Sequence, residues 1–212
     1  MHGTTMVFFV GMPILFGFGN YLIPLMLGAR DMAFPRLNAF SFWISAFGGL
    51  LLYFSFLGGE GLYGAGSAPD VGWFAYAPLT AKVFSPGHST DYWTLGILLS
   101  GIGSIGTALN IVTTIVCMRC PGMTLSRLPL LVWLYFVTCC MAFVAIGPLT
   151  AAQIMLLIDS YLGAHFFDTQ AGGSAVTWMH FSWHFGHPED DILRLPASGC
   201  ATVLIAVVSP TA

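Results

Sequence analysis

Charge is what this sequence has least of. Of its 212 residues only 7% are Asp, Glu, Lys or Arg, against 57% hydrophobic, and the formal net charge is −3. Soluble domains carry about 25% charged residues. A water-soluble fold of this length is therefore excluded, because it could not hide so much apolar surface. There is no basic run and no low-complexity tract, so nothing points to a nucleic-acid partner. No internal repeat is visible. The start, Met1-His2-Gly3, lacks a basic n-region, and the apolar stretch behind it is too long for a signal peptide. It reads as a membrane span. Cysteines are few: Cys117, Cys120, Cys139, Cys140 and Cys200. Cys139 and Cys140 lie in an apolar run, where a thiol behaves as a small hydrophobe. Cys117 and Cys120 form a CxxC at a predicted helix end, but no second CxxC completes a metal site.

What the sequence does have is long apolar stretches. A span needs about 20 apolar residues. Five stretches fit: Gly3 to Leu27, Phe40 to Leu57, Trp93 to Met118, Leu130 to Ile158, and Ala175 to Val208, the last apolar at both ends and polar in the middle. Backbone groups in lipid must be satisfied within the segment, so helices are expected. Pro13, Gly17, Gly19 and Pro24 are tolerated in such helices and allow close packing. The expected fold is all-α, an integral membrane helical bundle of about five transmembrane helices, with residues 1–212 forming one transmembrane domain.

The connections sort by charge. Arg30 and Arg36 lie between spans one and two, Arg119 and Arg127 between spans three and four. The alternate connections hold Glu60, Asp70, Asp91, Asp159 and Asp168, with Lys82 their single Lys or Arg. Basic residues favour the cytoplasmic side, so the N-terminus is expected outside. In the long connection from Gly58 to Tyr92, the aromatic residues Trp73, Phe74, Tyr76, Tyr92 and Trp93 suit an interfacial belt.

The fifth span carries the chemistry, in Trp178-Met-His-Phe-Ser-Trp-His-Phe-Gly-His-Pro-Glu189. His180, His184 and His187 are spaced i, i+4, i+7 and share one helix face. A single His there would be read as bonding a neighbouring helix. Three on one face, beside Trp183 and before Pro188 and Glu189, point to a metal or proton site. Glu189, Asp190, Asp191 and Arg194 cost about 3 kcal/mol each at mid-membrane, on the order of 12 together, while the flanking apolar residues return about 5. This helix therefore needs partner helices, protonated acids, an Asp–Arg pair or a bound metal. Pro188 is expected to kink it.

Four motifs together resemble subunit I of the haem-copper oxidases, cytochrome c oxidase subunit I in particular. They are His2-Gly-Thr-Thr-Met-Val-Phe-Phe-Val10, the run from Phe16 through Asn20, Pro24 and Gly28-Ala-Arg-Asp31 to Asn38, Phe166-Phe-Asp168, and Gly186-His-Pro-Glu189. The likeness runs from His2 to about Gly199 and implies roughly the second to sixth helices of a larger twelve-helix fold. It implies His2 as an axial ligand of a low-spin haem, and His187 as a ligand of the copper beside a high-spin haem. It implies a proton pathway entered at Asp31, lined by Asn20, Asn38 and Asn110, and ending at the catalytic carboxylate Glu189. The implied reaction is electron transfer to dioxygen, reduced to water, coupled to proton pumping. Cytochrome c or a quinol would be the donor, oxidase subunits II and III the partners, and a respiratory membrane (the bacterial plasma membrane) the location. By residue type alone, Asp31 also reads as a solvated loop acid paired with Arg30 or Arg36.

The sequence departs from the family pattern. Asp191 stands where the family has a Tyr four residues after the copper-ligating His. Asp190 replaces an apolar residue, Arg194 interrupts an apolar stretch, and His184 stands at a position usually aromatic. One matched residue is present for each of the two metal sites, so the 212-residue chain alone is expected not to reduce oxygen. Two other readings stay open: a truncated or decayed membrane protein without haem, and an unrelated metal protein using His180, His184, His187 and Asp191.

Overall fold

A computed structural model describes residues 1–61 and 64–209. It is a bundle of five long helices: α1 (His2–Leu27), α2 (Pro35–Gly58), α3 (Ser89–Cys117), α4 (Leu130–Leu162) and α5 (Ala175–Val208), each long and apolar enough to cross a membrane. Apart from short turns, the other regular structure among the described residues is a two-residue antiparallel pair, Glu60–Gly61 with Gly64–Ala65. The fold is the expected all-helical membrane bundle. Four helices start or end one to five residues beyond the apolar stretches, because hydropathy marks the lipid core while helices end where backbone geometry stops them. Gly28 (φ +72°) stops α1 and Gly163 (φ +68°) stops α4, both in the left-handed conformation that glycine adopts without strain. Pro35 opens α2 at its first turn, where a missing N–H costs nothing.

Within α1, residues Thr5–Gly11 widen into a π-helical segment. Pro13 follows it and has no N–H for the carbonyl four residues back, a local cause for the change in winding. α5 continues through both Pro188 and Pro196.

α2 packs chiefly on α3, α3 on α4, and α4 on α5, while α1 lies against α3, α5 and α4. Small residues set the closest approach. A methyl at Gly48 of α2 would sit 2.8 Å from the Gly96 carbonyl oxygen of α3, and one at Gly96 would sit 2.9 Å from the Gly48 oxygen. The two backbones touch there, as small residues permit where helices meet in lipid. On the other side of the bundle the ring of Tyr135 (α4), fully buried, lies against Gly19, and its hydroxyl donates to the Leu15 carbonyl at 2.7 Å.

The connection from α2 to α3 folds back over the helix ends. Trp178 Nε1 donates to the Phe74 carbonyl (3.1 Å), Trp183 Nε1 to the Tyr76 hydroxyl (2.5 Å), and Trp93 Nε1 to Thr4 Oγ1 (3.0 Å). Trp93 is therefore buried in the packing rather than placed in an interfacial belt. Trp93 and Trp178 bury their rings, Trp183 stays partly exposed, and each of the three keeps a partner for its N–H.

Candidate functional site

A cleft of about 930 Å³ runs between α1, α2 and α3, open to the surroundings. Asn20, Asp31 and Asn38 all line it. Asn20 comes from α1, Asp31 from the loop after it, and Asn38 from the first turn of α2. The cleft also holds polar residues that the sequence reading missed: Ser41, Ser45, Ser100, Ser104 and Thr107. Their signal was present in α3, where Ser100, Ser104 and Thr107 recur at i, i+4, i+7 and so share a face. It was masked because Ser and Thr are ordinary packing residues in membrane helices. Asn20 Oδ1 and Ser41 Oγ are buried without a protein hydrogen-bond partner. Buried polar atoms of this kind are normally satisfied by ordered water. These side chains are polar groups set in an otherwise largely apolar wall that includes Phe9, Phe16, Phe42 and Trp43.

Asp31 is exposed and forms no ion pair with Arg30 or Arg36; its Oδ1 instead accepts the Met32 N–H at 2.7 Å. Asn110 is fully buried and does not line the cleft.

α5 has two faces. Trp178, Ser182, Phe185, Gly186, Glu189, Ile192, Pro196 and Gly199 are buried against the bundle. His180, His184, His187 and Arg194 are exposed along the opposite stripe, and Asp191 is half-buried. Glu189 and His187 are two residues apart in sequence and point to different sides. Glu189 is 3% exposed and its Oε1 has no protein partner; the cleft between α1, α2 and α3 does not reach it. Asp191 pairs with Arg194 one turn on, one of the compensations this helix requires. His2 is exposed at the start of α1.

These positions bear on haem and copper. Among the described residues no group of three or more His, Cys, Asp or Glu side chains is placed to share a metal ion. His180, His184, His187 and Asp191 therefore do not form the unrelated metal site. Among the described residues His187 is not grouped with two further His, Cys, Asp or Glu side chains. Cys117 and Cys120 are free thiols.

A second cluster, unforeseen from sequence, lies at the opposite end of the bundle from the arginines. Asp91 Oδ2 accepts from Lys82 Nζ (2.8 Å) and from the Tyr161 hydroxyl, and pairs with His88 Nδ1 at 2.9 Å. It ties the α2–α3 connection, the start of α3 and the end of α4 to one carboxylate.

Comparison with known proteins agrees with the four motifs. The profile of the family described as Cytochrome C and Quinol oxidase polypeptide I matches residues 1–211. Cytochrome c oxidase subunit 1 of Corynebacterium efficiens is 46% identical over 209 residues, covering 99% of this chain and 35% of that protein. Cytochrome c oxidase subunit 1 of Bacillus sp. (strain PS3) is 46% identical over 210 residues, covering 99% and 33%. The putative cytochrome c oxidase subunit 1-beta of Streptomyces coelicolor is 45% identical over 209 residues. The chain spans about a third of the length of these relatives.

Proposed function

This chain belongs to the Cytochrome C and Quinol oxidase polypeptide I family, and from that premise we propose that it forms the proton-uptake segment of a respiratory haem-copper oxidase subunit. The observation that carries the reading is the cleft that gathers Asn20, Asp31 and Asn38 with five Ser and Thr side chains. Asp31 takes a proton at the exposed mouth. The Asn and Ser groups hold the water chain that moves it inward. Glu189, buried on α5 with one oxygen unpartnered, receives it and passes it on. Haem and copper, held in the complete subunit with His2 and His187 among their ligands, supply the chemistry of dioxygen reduction. Electrons come from cytochrome c, with a quinol as the other donor class, and subunits II and III complete the assembly in a bacterial plasma membrane. The 212-residue chain alone does not reduce oxygen on this reading.

The test is a chimera in which this chain replaces the matching third of the Corynebacterium efficiens subunit, with Tyr restored at Asp191. The expected result is oxygen consumption with proton uptake. Asp31→Asn should abolish pumping, and Glu189→Gln should slow turnover by about 100-fold or more, the scale of a lost general acid–base group. Activity and pumping untouched by both substitutions would refute the pathway.

One observation favours a second reading, a family member that has lost haem. Asp191 stands at the Tyr position and is paired with Arg194. A chimera retaining Asp191 that binds no haem, while its Tyr counterpart does, would select it.

A further inference from the structure

Three successive backbone amides in the loop that carries Asp31 donate to side chains rather than to backbone carbonyls. Met32 N–H donates to Asp31 Oδ1 (2.7 Å), Ala33 N–H to Thr114 Oγ1 (2.9 Å), and Phe34 N–H to Asn110 Oδ1 (2.8 Å). Asn110 Nδ2 returns a bond to the Phe34 carbonyl at 3.1 Å. Asn110 and Thr114 stand one turn apart on α3, both 0% exposed, and lie 76 and 81 residues from their partners. Thr114 donates its own proton to the Asn110 carbonyl at 2.7 Å, which leaves its oxygen free to accept. Both polar ends of the Asn110 amide are thus committed to one residue of the loop.

We propose that Asn110 and Thr114 are positioning residues that fix the register of the Asp31 loop on α3. The proposal rests on the reading of Asp31 as the proton-entry acid. The Asn110 carbonyl oxygen and one N–H of its amide are both spent on the Phe34 backbone, and Asn110 stands off the cleft. The Asp31 carboxylate is the first member of the same array. Slippage at Phe34 and Ala33 therefore frees the backbone that holds Asp31 at the mouth, whose own bond to Met32 is local to the loop.

The experiment uses the 212-residue chain in lipid nanodiscs. Hydrogen exchange is read at Met32, Ala33 and Phe34, and the rate of Asp31 modification by a water-soluble carbodiimide is read by mass spectrometry. Asn110→Ala and Thr114→Val should each speed exchange at these amides about tenfold, the scale of losing a hydrogen bond or two, and change the Asp31 modification rate. Thr114→Ser keeps the oxygen and should restore both to the parent values. Unchanged exchange in Thr114→Val, or a Thr114→Ser as disturbed as Thr114→Val, overturns the proposal. The Thr114 pair is nearly isosteric and decides the matter if Asn110→Ala fails to fold. Failure of the pathway is distinguishable: a chimera that pumps normally with Asp31→Asn removes Asp31 from proton entry and leaves the exchange result standing.

Discussion

Single residues in this bundle differ in what their polar atoms are doing, and two outside the cleft make opposite predictions. Gln153 is fully buried on α4, and neither its amide nitrogen nor its oxygen has a protein partner. Burying an amide without partners costs about 1–3 kcal/mol, and an apolar side chain of similar shape removes that cost. Gln153→Leu or Gln153→Met should therefore leave thermal stability in detergent unchanged or raised; a clear loss would mean that the amide holds something the protein needs. Asp91 is the reverse case, one carboxylate oxygen serving three partners, Lys82 and His88 from the α2–α3 connection and Tyr161 from α4. Asp91→Ala should destabilise by about 1–2 kcal/mol, reduced by solvent because Lys82 and His88 are partly exposed. Asp91→Asn, which keeps an acceptor, should lose less, and melting of the two variants side by side checks the order. Neither role was legible in the sequence. Asp91 read as a loop acid, because the partners that define it are a Lys nine residues earlier and a Tyr 70 residues later. Asp31, Asn20 and Asn38 were legible because they fall in one contiguous motif.

At the scale of elements, α5 was read correctly in extent but not in the placing of its groups. The spacing of His180, His184 and His187 rightly put them on one stripe, and that stripe is exposed. Glu189, adjacent in the motif, is turned by two residues to the buried side. A helix period determines which residues share a face; only the neighbours determine which face is inside. The α2–α3 crossing illustrates the same limit. Gly48 and Gly96 are two of 25 glycines, and nothing local marks them as the pair whose backbones touch. The contact predicts that Gly48→Val or Gly96→Val costs about 1–3 kcal/mol by overpacking. Gly17, whose added methyl would meet nothing within 4 Å, should accept Ala with little change. Unfolding of the three variants in mixed micelles separates these expectations, and equal losses at all three would place the crossing elsewhere.

The whole molecule has a polarity that one measurement can read. The arginines of the connections, Arg30, Arg36, Arg119 and Arg127, gather at one end of the bundle, where the α1–α2 loop meets the end of α3 through the Cys120 N–H and the Leu27 carbonyl at 3.0 Å. The other end holds Glu60, Asp70, Asp91, Asp159 and Asp168, with Lys82 neutralised by Asp91. A four-to-one bias of Lys and Arg in short connections sets orientation, because basic residues resist translocation while acids contribute little. The arginine end should face the cytoplasm and the N-terminus the outside. That places the mouth at Asp31 in contact with cytoplasmic water, as proton uptake from within the cell requires. In a variant with all five cysteines replaced by Ser, Asp70→Cys should react with a membrane-impermeant maleimide in intact cells. Gly122→Cys, in the α3–α4 loop at the arginine end, should react only after permeabilisation. The reversed pattern would turn the molecule over, set Asp31 outside, and make the cleft a path for proton release instead of uptake.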